Sequence, residues 1–214
     1  MNEEPPSARD AASHDTHVVV WDVPSAIERG ATFRIKVGVK CAAECRAERW
    51  SVEIRDHDGK ALAKTPLSDT PWPGTTALYH AEVELRAPDA VELYTWKAHG
   101  PAIDGETAES DHAASSAHFN VPTVPAGECT VEVLAVDAKT RGPVRAARVV
   151  AHPYRAVTDE RGVAKLNLPK GQYRIFVSGR GYLPFSSDNE VERDITMTAE
   201  LHADIGISDA ELWP

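Results

Sequence analysis

Cysteine is scarce in this chain, with three residues, Cys41, Cys45 and Cys129, among 214. Three cannot build the multi-bridge framework that holds small secreted domains together. No apolar run approaches the roughly 18 residues a membrane-spanning helix needs, and no Asn-x-Ser/Thr sequon occurs. Basic residues are outnumbered, 23 Lys and Arg against 33 Asp and Glu, for a formal net charge of -10. That balance is a poor match for a phosphate backbone and argues against a nucleic-acid partner. The polar start Met1-Asn-Glu-Glu-Pro-Pro-Ser-Ala-Arg-Asp10 has no charged-then-apolar leader pattern, which points to the cytoplasm and away from a membrane. The strings His-Glu-x-x-His, Gly-x-Ser-x-Gly and Gly-x-x-x-x-Gly-Lys-Ser/Thr are all missing. The expectation is a protein that is not an enzyme and uses no cofactor.

What the chain does have is punctuation. Fifteen prolines and thirteen glycines fall between short apolar runs, the arrangement of an all-β chain with many turns. Phe33, Ile35, Val37, Val39 and Cys41 alternate with Arg34, Lys36 and Lys40, the period-two signature of a strand with one wet face. Trp50, Val52 and Ile54 repeat it, then Asp56-His-Asp-Gly59 reads as a hairpin turn. Further strands follow around Ala77–Leu85, Val91–Ala98 and Ala117–Val121. About seven strands in this stretch predict an immunoglobulin-like sandwich over 16–122. Residues 1–15 read as a disordered N-terminus, 100–116 as a long polar loop and 123–128 as a linker.

A second sandwich is expected over 129–201, with strands around Val131–Ala135, Val149–Ala151, Ala164–Leu168, Tyr173–Val177 and Ile195–Leu201. Charge changes sign here: residues 1–125 carry 12 basic and 20 acidic groups, residues 126–198 carry 11 and 9. The tail, 202–214, is acidic and ends Leu212-Trp213-Pro214.

Several pieces of the second half occur in a telling order: Asp137, Thr140, Gly142-Pro143-Val144, Ala147 and Val149, then Thr158-Asp159-Glu-Arg-Gly162-Val-Ala164, Pro169-Lys-Gly171-Gln-Tyr173 and Gly181-Tyr182. With these, residues 130–201 resemble the carboxypeptidase regulatory-like domain, a transthyretin-like β-sandwich. The resemblance implies a non-catalytic module appended for folding support, adhesion or partner contact. Two positions depart from the pattern: a glycine is absent from the first strand, and Ala146 stands where glycine is expected before Ala147. A related hydrolase of this architecture carries a Tyr-Arg-Gly-Ser signature that is absent here, though His152 and Arg155 are present.

Three groups of residues carry chemistry. Cys41 and Cys45 have metal-ligand spacing, half a site to be completed by histidine or by Cys129. His99, His112 and His118, which flank and occupy the polar loop, could bind metal or sense pH, with His99 and His118 taken as the ligands. A disulfide between the two cysteines and a core role for Cys41 are the competing readings. Arg155, Arg161, Arg174 and Arg180, with Lys170, lie near turns of the second sandwich and fit docking of an acidic protein segment. Trp213, next to Leu212, is an interface anchor by residue type. The leading functional expectation is an accessory or interaction protein, a structural subunit of a larger enzyme assembly. A carbohydrate- or ligand-binding module is a second possibility: Trp50 and Trp96 face inward by alternation, which leaves Trp21 and Trp72 for a platform. A metal-binding protein is the third.

Overall fold

In the computed structural model, residues 14–103 and 112–204 are described, and every element they form is a β-strand. The chain divides into two compact units, Met1–Thr123 and Val124–Pro214.

The first unit is a sandwich of two sheets. One has three strands in the order β1 (Thr16–Trp21), β3 (Thr32–Cys41), β6 (Leu78–Arg86). The other has five, in the order β2 (Ile27–Glu28), β8 (Ser115–Val124), β7 (Leu93–Ile103), β4 (Trp50–Arg55), β5 (Ala61–Pro66). The pairings β1·β3, β3·β6, β4·β5, β4·β7 and β7·β8 are antiparallel, and Thr16 of β1 stands opposite Cys41 of β3. Alternation puts Phe33, Ile35, Val37, Val39 and Cys41 into one core with Tyr79, Val83, Trp50, Val52, Ile54, Trp96 and Phe119. The expected hairpin forms at Asp56: its carboxylate accepts the backbone N–H groups of Asp58 and Lys60 at 3.0 and 2.9 Å, and Gly59 takes φ +82°. The seven strands expected here become eight with the two-residue β2.

His14, read from the sequence as part of the polar N-terminus, takes part in the fold. Residues 1–13 lie outside the described residues, but His14 already pairs with His112 in a parallel bridge, and Ala113 N–H donates to the His14 carbonyl at 2.9 Å. The polar loop is correspondingly shorter, since β7 runs to Ile103 and β8 starts at Ser115. Residues 104–111 lie outside the described residues.

The second unit is a smaller sandwich. Its four-stranded sheet has the order β11 (Tyr154–Val157), β10 (Arg148–Ala151), β13 (Gly171–Ser178), β14 (Phe185–Val191). Its three-stranded sheet has the order β12 (Val163–Leu168), β9 (Cys129–Asp137), β15 (Ile195–Leu201), with β15 parallel to β9. The core is small and aliphatic: Val131, Val133, Leu166, Leu168, Val149, Ile175, Val177, Val191 and Leu201, with alanines between them.

The turn signature read from the sequence has a physical origin at each residue. Asp159 accepts the N–H groups of Arg161 and Val163, both at 2.9 Å. Gly162 has φ +76°, and a Cβ there would stand 2.6 Å from the Ala135 carbonyl, so only glycine fits. The buried Thr158 hydroxyl donates to the Val144 carbonyl at 2.7 Å and accepts the Ala147 N–H at 2.8 Å. Asp137 accepts Lys139 and Thr140 N–H groups and the Tyr182 hydroxyl. Tyr173 donates to the Pro169 carbonyl at 3.0 Å.

Candidate functional site

The two cysteines of the Cys-x-x-x-Cys pair come together at one end of the first sandwich. Cys41 is the last inward residue of β3 and is fully buried. The chain then turns: the Cys41 carbonyl accepts the Glu44 N–H at 3.1 Å, and Glu44 takes a left-handed φ of +56°. This brings Cys45 back beside Cys41. Ala43 N–H points at the Cys41 sulfur, 3.3 Å away, and the Asp15 carbonyl accepts the Ala42 N–H at 2.9 Å, tying the turn to the residues before β1.

Two imidazoles complete the cluster. His14 Nδ1 lies 3.2 Å from the Cys45 sulfur. The His112 ring meets the His14 ring edge-on at 5.3 Å and the Trp50 indole at 4.8 Å, and Trp50 itself is buried. One ligand atom from each of His14, Cys41, Cys45 and His112 lies within 4.8 Å of every other. Thr16 fixes the backbone beneath: its hydroxyl donates to the Ala113 carbonyl at 2.5 Å and lies 3.0 Å from Ser115 Oγ. No disulfide joins any of the three cysteines, and Cys129 is buried in the other unit.

His99 and His118, the histidines expected to complete this site, are elsewhere. They lie on the strands β7 and β8, where Trp96 and Ala98 point into the core. Strand parity turns His99 to the opposite, outer face, and His118 is exposed there too. The desolvated position of His99, with Lys97 and Arg55 near it, holds its pKa below the usual imidazole value. The sequence signal for the histidines that do lie beside the cysteines is weak: His14 sits in a polar segment and His112 in a polar loop.

The second sandwich gathers charge on the outer face of its four-stranded sheet. Cross-strand register places Arg155 opposite Val150, and Val150 opposite Phe176. Arg148 stands opposite Val157. Arg174, two residues before Phe176, lies over that ring at 5.9 Å and reaches Asp188 at 3.6 Å. Phe176 and Val157 are 46% and 60% exposed, unusual for large apolar side chains. Of the arginines singled out, Arg155 and Arg174 therefore share a face, together with Arg148, which sequence reading missed. Arg161 and Arg180 sit exposed in the turns after β11 and β13, as does Lys170 in the turn before β13. Trp213 and Leu212 lie outside the described residues.

Trp21 and Trp72 meet edge-to-face at 5.3 Å. The Lys36 ammonium stands 5.2 Å over the Trp72 ring, and His80 packs against it at 4.8 Å. A Cβ on Gly38 would fall 3.0 Å from Trp21, so glycine lets that ring lie on the sheet.

No family model matches the chain, and no curated protein matches it. Among solved structures, it is similar to BcpA, the major pilin subunit of Bacillus cereus, at 13% identity over 88% of this chain and 70% of that one, with a TM-score of 0.31. It is also similar to the Bacillus anthracis TIE protein, at 12% identity over 94% of this chain and 42% of that one, with a TM-score of 0.28. A third similarity is to a type II cohesin–X-dockerin complex from Acetivibrio cellulolyticus, at 20% identity over 35% of this chain and 56% of that one, with a TM-score of 0.27.

Proposed function

We propose that this chain is a non-catalytic interaction protein of the cytoplasm, an accessory subunit that holds an acidic, partly apolar segment of a partner protein. The outer face of the β11-β10-β13-β14 sheet carries this reading. There Arg148, Arg155 and Arg174 alternate with the half-buried Val150 and the exposed Val157 and Phe176, so cations flank apolar groups on the face of the sheet. Arg148 and Arg155 have no ion pair among the described residues. Guanidinium groups with an aromatic between them suit carboxylates spaced along a segment that also offers an apolar side chain. The carboxypeptidase regulatory-like resemblance of residues 130–201 supports the same role.

The test is site-specific photo-crosslinking in the native host. A photoreactive residue at Phe176 should capture one partner through an acidic peptide, while the same residue at Thr198, exposed on β15 of the other sheet, should not. The double charge reversal R155E/R174E should abolish the adduct. Equal labelling from both positions would sink the proposal. A second reading, carbohydrate capture, is favoured by the meeting of Trp21 and Trp72 on one face. Glycan-array binding lost in W72A would favour it over protein docking.

A further inference from the structure

We infer that His14, Cys41, Cys45 and His112 form a closed tetrahedral zinc site that rivets the two sheets of the first sandwich together at one end. This is independent of the partner-docking face, which lies in the other unit.

The donor set fits first. Two sulfurs and two imidazoles from four residues make a Cys2His2 set, characteristic of zinc held structurally, with no position left open for water or substrate. The geometry fits next. Tetrahedral zinc, with bonds of about 2.3 Å to sulfur and 2.0–2.1 Å to nitrogen, separates its ligand atoms by roughly 3.3–3.8 Å. Here all four lie within 4.8 Å of one another, and His14 Nδ1 is already 3.2 Å from the Cys45 sulfur. Small side-chain rotations close the shell. Charge fits as well: two thiolates neutralise a divalent ion and two neutral imidazoles add nothing, so the loaded site is uncharged. That suits a place where Cys41 is fully buried and the other three are half-buried. Binding releases the two thiol protons to solvent.

The surroundings hold the ligands in place. Ala43 N–H points at the Cys41 sulfur, as outer-shell donors do at metal-bound thiolates. Trp50 braces the His112 ring edge-to-face, and the Asp15, His14 and Thr16 backbone and hydroxyl contacts fix the segment bearing His14. The second group of close acidic and histidine residues, Asp56, His57 and Asp58, lacks this character. It is a surface turn whose Asp56 carboxylate is engaged by its own backbone.

The consequence follows from topology. His14 precedes β1 and Cys41 ends β3, both in the three-stranded sheet. Cys45 leads into β4 and His112 into β8, both in the five-stranded sheet. One ion therefore joins both sheets and closes the long stretch between His14 and His112, which removes conformational freedom from the unfolded chain.

Elemental analysis of the full chain purified under reducing conditions should give one zinc per chain. After removal by chelator, cobalt(II) should restore the intense visible bands of a tetrahedral ion together with a thiolate charge-transfer band. H14A and H112A should each weaken zinc binding beyond the roughly 10–100-fold that outer-shell changes bring, while H99A, H118A and C129S keep full affinity. Chelation should raise hydrogen exchange at the β1, β3 and β8 ends and leave β9–β15 unchanged. The cobalt spectrum of the unaltered chain needs no variant, so misfolding of a mutant cannot hide the answer. An octahedral cobalt spectrum, metal binding that survives loss of both cysteines, or a reduced chain that takes up no zinc at micromolar concentration would each overturn the inference.

Discussion

The two sandwiches reach similar architectures by different means. The first is held by large aromatic groups and by side chains that meet over long sequence distances. Trp96 packs between Phe33 and Phe119 at 6.0 and 6.2 Å, Trp50 against Tyr79 and His112, and the His14–Cys45 contact spans the sheet edge. The second is filled by valine, alanine, leucine and isoleucine, and much of its specificity sits in turns: Asp137 and Asp159 accept backbone N–H groups two to four residues on, Gly162 supplies a positive φ, and Thr158 ties its turn to the Val144–Ala147 segment. Local turn chemistry leaves a signature in sequence, whereas convergence of distant side chains does not. The two units also differ in what they offer: the first gathers His14, Cys41, Cys45 and His112 at one end, the second exposes arginines beside Phe176 and Val157.

The sharpest way to break this comparison is Trp96→Ala. Trp96 is 2% exposed, and its loss removes the centre of the aromatic core. We expect about 3–5 kcal/mol of destabilisation, confined to the first unit when read by hydrogen exchange. Trp96→Phe should do much less harm than its volume loss implies. The indole N–H is buried without a hydrogen-bond partner among the described residues, so removing it also removes an unsatisfied donor. Loss of protection spread equally over β9–β15 would show that the two units are not the separate cores described.

The same contrast explains what was legible in the sequence. The alternation from Phe33 to Cys41 specified β3 and its inward face, because burial on one side imposes period two whatever the partner strand is. The Asp159–Gly162 string specified its turn, because the N–H groups Asp159 accepts lie two and four residues on and Gly162 takes the positive φ the turn needs. Half of the metal-ligating cluster was legible too, as Cys41 and Cys45. His112 was legible only as one of three histidines around the loop, and His14 was not, since the two meet through a parallel bridge and a ring contact between distant segments. A stricter use of parity would nevertheless have removed His99: if Trp96 faces inward, the residue three positions on faces outward. Pairing β1 with β3 would have supplied His14, because Thr16 opposite Cys41 puts the residues just before β1 beside the turn that bears Cys45.

Glycines at comparable turns sharpen the comparison at a smaller scale. Gly59 and Gly162 both have positive φ, +82° and +76°. An added Cβ at Gly59 meets nothing within 4 Å, whereas at Gly162 it meets the Ala135 carbonyl at 2.6 Å and Pro143 at 3.0 Å. Gly59→Ala should therefore lose only the backbone preference, about 1 kcal/mol. Gly162→Ala should lose about 1–3 kcal/mol from strain, with the carbonyl clash raising the figure further. Chemical denaturation of the two variants resolves the difference. Equal losses would mean that the turn of the second sandwich is no more tightly specified than that of the first.

The smallest effect expected is a dependence on acid, and it singles out the second sandwich. The Asp159 carboxyl is held below the usual carboxylate range, first by the Val163 N–H and then by that of Arg161. Asp137 is held low in the same way, by Thr140 N–H, then Lys139 N–H and the Tyr182 hydroxyl. Each depressed value means that the folded chain prefers the ionised form more than the unfolded chain does. The stabilisation is therefore complete above the unfolded value, about 3.9, and is lost as pH falls below it through the folded value. Both carboxylates face solvent, which screens the interaction and keeps the effect modest. Asp159→Asn keeps a side-chain acceptor for the turn but removes the charge. The variant should be slightly less stable than the parent at neutral pH, and the gap should narrow as pH falls below about 3.9. Parallel stability curves for the two proteins across that range would show that the charge contributes nothing and that the turn works by shape alone.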